Sequence, residues 1–158
     1  MTDTADWQKL ANALRELHRT LLECARRNYE REHAVALTPG ELLELLTTHA
    51  EFEWLRGLSE LMVDIDLVRD AAQLHRDEVA DAVRAAVEHL LSNAPEPSGA
   101  FAQHYWPYVH ADPLVAIAHA GVKQAIAAWP QPQAGDASDF LHERHRLAEK
   151  ARHLSRRR

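Results

Sequence analysis

Residues 38–68 read TPGELLELLTTHAEFEWLRGLSELMVDIDLV. The apolar residues Phe52, Leu55, Leu58, Met62, Ile65 and Val68 return every three or four positions, widened by Trp54 and Leu61. That spacing puts them on one stripe of an α-helix. Thr38 opens the stretch as an N-cap. Pro39 suits the first helical position, where its missing N–H would be unpaired anyway, and Glu41 is spaced to reach back to the cap. The cap spacing repeats at Thr48 and Glu51, in a run whose β-branched threonines weaken a helix, so a break near Thr47 is predicted, with a new helix over 49–68. Gly57 is costly inside a helix and predicts a close helix–helix approach. This is the densest apolar stretch in the chain, and the other helices are expected to pack on it.

To the N-terminal side, Trp7, Leu10, Leu14, Leu17, Leu21 and Cys24 step by three and four. They form one apolar seam with a seven-residue repeat, predicting a helix over 7–33. Lys9, Glu16, Arg19, Glu23 and Arg26 fall on its opposite, solvated face. To the C-terminal side, Val79, Val83, Ala86, Val87 and Leu90 mark a helix over 72–91. Two prolines and a glycine in 93–99 mark a loop. Residues 100–111 read as a short helix that Pro107 bends or splits. Asp112-Pro113 caps a helix to Trp129, predicted to pack through Leu114, Ile117, Ala118, Val122, Ala125, Ile126 and Trp129, with Gly121 at a close approach. Pro130 to Asp136 ends it. From Ser138 the chain is again helical, with a thin apolar face of Phe140, Leu141, Leu147, Ala148 and Leu154.

Leu, Ala, Glu and Arg, all good helix formers, dominate the composition. The expected class is all-α: a single-domain bundle of six to seven helices over 1–135, with a C-terminal helix and basic tail over 136–158 that docks loosely. The 158 residues suit one domain, and a chain of this length buries roughly 70% of its unfolded surface. One cysteine excludes an internal disulfide and fits a reducing compartment. The first residues, MTDTADWQKL, carry neither the basic nor the apolar region of a secretory leader. No apolar run approaches the roughly 20 residues that cross a bilayer. A cytoplasmic location without a membrane partner is expected.

The net charge of −6 is uneven: seven Lys or Arg against two Glu over 143–158, hence +5 there and −11 elsewhere. An acidic body argues against nucleic acid as the main partner, because phosphate binding rests on clustered Lys and Arg. The tail ending in Arg156, Arg157 and Arg158 is a solubilising end or pairs with that body.

Histidine is unusually frequent, with eleven copies. Six of them, His33, His49, His75, His142, His145 and His153, have an acidic residue three or four positions away, the helical spacing for a shared metal. Yet eleven histidines with four such slots each, in a chain with 24 acidic residues among 158, meet about seven by chance. The pairs are therefore no signal in themselves. A ferritin-like bundle repeats Glu-x-x-His, and only Glu30-Arg31-Glu32-His33 fits. Cys24 lies on the apolar seam and reads as a small buried hydrophobe. Ser59 and Ser92 lack a Gly-x-Ser-x-Gly context, and neither Gly-rich phosphate motif occurs. Asp64 and Asp66, two apart on a helix, point apart and read as solvated. His104, Tyr105, Trp106, Tyr108 and His110 crowd around Pro107, as the rim of a ligand pocket, as a partner patch, or as aromatics closing one end of the bundle.

The segment from Phe52 to Asp66 resembles a motif of uncharacterised all-helical bacterial proteins, F-x-W-L-R-x-L-S-x-L-x-V-x-I-D. The run Asp112-Pro113-Leu114-Val115-Ala116-Ile117-Ala118-His119-Ala120 is similar to a second shared stretch. The likeness covers residues 7–129 and implies a helical fold without an assigned activity. A weaker likeness, to DinB-like metal-binding bundles, rests on His49 in the second helix and His142 with His145 near the start of the last. It implies a three-histidine divalent-metal site. The leading expectation is a non-enzymatic helical bundle without a cofactor, acting through protein contacts or self-association. The alternative is a metal-dependent bundle enzyme using His49, His142 and His145.

Overall fold

The computed structural model describes residues 4–70, 76–93 and 99–130, together with Arg146, Glu149, Arg152 and His153. Among them are seven helices and no strand: α1 (Thr4–His33), α2 (Pro39–Thr48), α3 (Ala50–Glu53), α4 (Arg56–Asp70), α5 (Arg76–Leu90), α6 (Gly99–Ala111) and α7 (Pro113–Ala127). The chain is a single all-α helical bundle. None of these helices is long and apolar enough to cross a membrane.

The centre of the bundle is α1, which α7, α4 and α6 all touch. Thirty residues at 1.5 Å each reach about 45 Å, long enough to serve several partners in turn. Every residue of the seam from Trp7 to Cys24 is buried, and Ala11 and Ala25 join it. Leu10, Leu14, Leu17 and Leu21 are at most 1% exposed. Each contributes about 2 kcal/mol by leaving water. The Trp7 ring meets Trp129, with centroids 4.8 Å apart, and so ties the start of α1 to the end of α7.

Residues 38–68 are therefore not the element on which the rest packs. Their second half is core: Phe52, Trp54, Leu55, Leu58, Leu61, Ile65 and Val68 are buried. Their first half, α2, has no buried residue. Leu42, Leu45 and Leu46 are half-covered, and Leu43 is 64% exposed. A high density of leucine made α2 look central, but density does not fix which neighbours a helix meets.

The capping box forms as spaced. The Thr38 hydroxyl accepts the Glu41 N–H at 3.3 Å, and the Glu41 carboxylate accepts the Thr38 N–H at 2.8 Å. The break also falls where the threonines are. Thr47 and Thr48 both turn their hydroxyls onto the Glu44 carbonyl at 2.8 Å, and α2 stops. A second interruption, at Trp54 and Leu55, divides the helix expected over 49–68. There the Leu55 N–H bonds Phe52 O, three residues back, at 3.1 Å. Tightening the turn buries both side chains, and Trp54 lies against Phe101, His104 and Tyr108.

Other expectations divide in the same way. An added Cβ at Gly57 would lie 3.4 Å from Leu90 Cδ1, so α4 does come close to α5 there. Pro107 sits inside one unbroken α6 and does not split it; its ring is exposed, while Phe101, Ala102 and Tyr105 hold the inner side. On α7 the buried stripe is Val115, Ala118, Val122 and Ile126. Leu114 and Ile117 face outward, and a Cβ at Gly121 would meet nothing within 4 Å. The helix is apolar nearly all round, so its pattern left the inward face open. Asp64 is buried, not solvated, with Arg152 of the C-terminal segment 3.7 Å from its carboxylate, while Asp66 meets Arg15 and Arg69. The apolar residues expected on the last helix, and the boundary at 135–136, lie outside the described residues.

Arg84 was not foreseen. It is buried on α5, and its guanidinium donates to the carbonyls of Trp129 and Pro130 and to Glu88. It thereby gives partners to two carbonyls just beyond the end of α7 and fixes that end of the helix to α5.

The exit from α1 has a residue out of place. Ala34 has φ +53, and the Val35 N–H bonds back to Glu30 O at 3.1 Å. This is a Schellman ending with alanine where glycine is favoured. Ala34→Gly removes the clash of Cβ in the left-handed region. It is expected to raise stability by about 1 kcal/mol, read from the midpoint of urea unfolding. An unchanged or lowered midpoint would contradict this account.

Candidate functional site

The side chains with chemistry gather along one edge of the bundle, where the end of α1 meets α3, α6 and the start of α7. The turn after α2 leaves His49 extended, with φ −99 and ψ 132. Its Nδ1 accepts the Glu51 N–H at 3.3 Å and so caps α3. A neutral imidazole that accepts at Nδ1 carries its proton on Nε2. While it caps, His49 offers no lone pair to a metal. Its proposed companions, His142 and His145, lie outside the described residues.

A different histidine is better placed as a ligand. His33 lies on the ring of Tyr29, with centroids 4.0 Å apart, and donates its Nδ1–H to the Tyr29 carbonyl at 3.0 Å. This leaves the Nε2 lone pair, which faces the Glu51 carboxylate at 3.6 Å. Glu32 joins them, and the three donor atoms lie within 4.8 Å of one another, all on exposed residues. Two acceptors face to face need a shared proton or a cation between them. A backbone carbonyl that fixes the far ring nitrogen is also the usual support for a metal-binding histidine. Sequence spacing could not find this group, because Glu51 is on another helix. The one residue it flagged, His33, was paired with Glu30 instead. Glu30 is occupied elsewhere: its carboxylate accepts from Arg26 at 3.2 Å and from the Leu37 N–H at 2.8 Å.

The aromatic cluster of α6 continues the edge. His104 and Tyr108 both stack against Trp54, at 5.4 and 5.8 Å. Asn28 of α1 donates to the Tyr108 hydroxyl at 2.6 Å. Burial is the main reason that hydroxyl holds its proton more tightly than usual, partly offset by Asn28. Tyr105 is fully buried, and its hydroxyl shares a hydrogen bond with His119 Nδ1 at 2.6 Å. Its own proton affinity is raised by burial, and that of His119 is lowered, first by burial and then by the charge of Lys123. Trp106 donates its indole N–H to the Ser92 carbonyl at 3.2 Å, and its ring lies near His110 and His119. His104 Nδ1 donates to the Ala100 carbonyl at 2.9 Å, so of the five residues His104, Tyr105, Trp106, Tyr108 and His110, four spend polar atoms on the fold.

Two nucleophiles are similarly engaged. Cys24 donates to Asp112 at 3.2 Å, and burial followed by that carboxylate pushes its thiol up to about 11. It is a poor thiolate at neutral pH. Asp112 in turn is held below the usual carboxylate range by Cys24 and by the Leu114 N–H it caps. The Ser59 hydroxyl lies 3.1 Å from His18 Nε2 and also reaches the Leu55 carbonyl at 3.3 Å, the backbone four residues back in its own helix. Beside Ser59, a cleft of about 380 Å³ is lined by Glu60, Val63, Asp64 and Arg152. That size falls within the range of small-ligand pockets.

No family model, curated protein or solved structure matches this chain. The reading of the site therefore rests on its own geometry.

Burial lowers the proton affinity of both His18 and His119. Such a group binds its proton more readily when unfolded. The stability it carries is full above the unfolded value, about 6.5, and is lost as pH falls from there toward the folded value. The melting temperature is expected to drop between about pH 7 and about pH 5, and to drop less steeply in His119→Gln. Circular dichroism melts across that range provide the check, and parallel slopes for the two proteins would refute it.

Proposed function

We propose that this chain is a non-enzymatic helical-bundle protein that works through contacts with protein, self-association included. The observation that carries the reading is where its exposed large apolar side chains lie. Leu43 of α2 is 64% exposed, and Leu114 and Ile117 of α7 are 60% and 68% exposed. Both helices are apolar on average, and α2 has no buried residue. A helix rich in leucine gains its stability from covering an apolar face, and these two leave theirs partly uncovered. Large exposed apolar residues that cluster on a helix favour a partner. Size-exclusion chromatography with light scattering, from low- to high-micromolar protein, is expected to show mass rising above the monomer's 17.9 kDa. A strict monomer throughout would remove self-association from the proposal.

A metal-binding reading at a different place from the expected His49, His142 and His145 rests on one observation, the convergence of Glu32, His33 and Glu51. On that reading, protein purified without a polyhistidine tag retains a divalent metal by elemental analysis, and Glu51→Gln lowers its content. Protein that is metal-free and takes up neither zinc, nickel nor iron at neutral pH would eliminate it.

A further inference from the structure

The outward face of α7 carries no carboxylate. Leu114, Ile117, Ala120, Gln124, Ala127 and Ala128 are exposed along it. The only ionisable side chains of α7 are His119 and Lys123. The outward face of α1, by contrast, carries Arg19 paired with Glu16, and Glu23 with Arg26 and Arg27. Midway along the α7 face is Gly121. Glycine weakens a helix interior, so it needs a reason there. At Gly57 the reason is visible, since Leu90 stands 3.4 Å from an added Cβ; at Gly121 nothing stands within 4 Å. Among the described residues, nothing packs close enough to account for the glycine.

We infer that this face is a self-complementary interface, and that its occupant is α7 of a second copy, antiparallel and crossing at Gly121. The inference deepens the protein-contact reading and rests on it. Two features select a second copy. The first is shape. Leu114, Ile117 and Ala120 lie on the first half of the face and Gln124, Ala127 and Ala128 on the second, either side of Gly121. A twofold axis through Gly121 sets Leu114 of each copy over Ala128 of the other, and Ile117 over the Gln124–Ala125 level. Leu114 then meets the small Ala128 at both ends of the contact, and Ile117 lies beside Ala125 and the alkyl part of Gln124. A parallel pairing would set large on large and leave a gap between the alanines. An isologous contact of this kind closes as a dimer. The second feature is charge. With a net charge of −6, two copies repel on most approaches. They repel least where the face carries no carboxylate. Backbones approach closely where a glycine sits at the crossing, as in other helix pairs built on small residues. One helix pair buries less than the roughly 1,200 Å² of stable interfaces, so a micromolar dissociation constant is expected.

Sedimentation equilibrium on the full chain tests this, comparing the parent with Ile117→Glu, Gly121→Leu and, as a control elsewhere on the surface, Leu43→Glu. Ile117 is exposed and Gly121 has room for a side chain, so each variant is expected to keep the parent's helical circular dichroism and melting temperature at low concentration. The parent is expected to dimerise, with the dissociation constant raised at least about tenfold by each α7 variant and unchanged by Leu43→Glu. A parent that stays monomeric to high micromolar overturns the inference together with the self-association reading. A dimer insensitive to both α7 variants but weakened by Leu43→Glu overturns only the inference and leaves the contact reading in place through α2.

Discussion

Keeping one face of α1 dry is the condition on which the rest of this bundle depends. The seam from Trp7 to Cys24 runs along most of a helix that α4, α6 and α7 all touch, and no other described helix is as long. Its outer face is tied to itself by ion pairs three and four residues apart, each of which is worth little. The helix is thus held by what it buries and not by what it exposes. The same helix also delivers the polar groups of the candidate site. Asn28, Tyr29 and His33 project from its last two turns toward α6 and α3.

Local signals were legible in the sequence where they were strong; the weaker cap read at Thr48 and Glu51 is taken instead by His49, while Thr48 bonds back to Glu44. A capping box needs only four neighbouring residues, and Thr38 and Glu41 form it as read. A seam with a strict three-four step allows one burial pattern, and all six of its predicted positions are buried. What could not be read was the choice between faces and between partners. In α7 nearly every residue is apolar, so periodicity could not separate Val115 and Val122, which turn in, from Leu114 and Ile117, which turn out. The split at Trp54 depends on Phe101, His104 and Tyr108, some fifty positions on. Arg84 finds its acceptors at Trp129 and Pro130, and a buried arginine on an amphipathic helix reads as a surface residue until those carbonyls are in place.

The histidines illustrate the same limit. Spacing along the chain nominated His49, and the fold uses it as a helix cap. The histidine whose free nitrogen faces carboxylates is His33, and its partner Glu51 is eighteen positions away on another helix. Helical spacing finds only ligands that share a helix. Sites assembled at a helix end from two elements leave no periodic trace. The aromatic residues of α6 are partly of this kind: Tyr105 with His119 and Tyr108 with Asn28 are pairs that only the packed bundle creates.

The position of Cys24 has a practical consequence. It is the chain's single thiol, it sits on the face of α1 that the bundle covers, and its proton is held by burial and by Asp112. A thiol reagent has nothing to attack while α1 and α7 stay together. The rate at which such a reagent labels the native protein therefore clocks the opening of the central helix against its neighbours. It needs no introduced probe, and it would separate a local parting of α1 from α7 from unfolding of the whole chain.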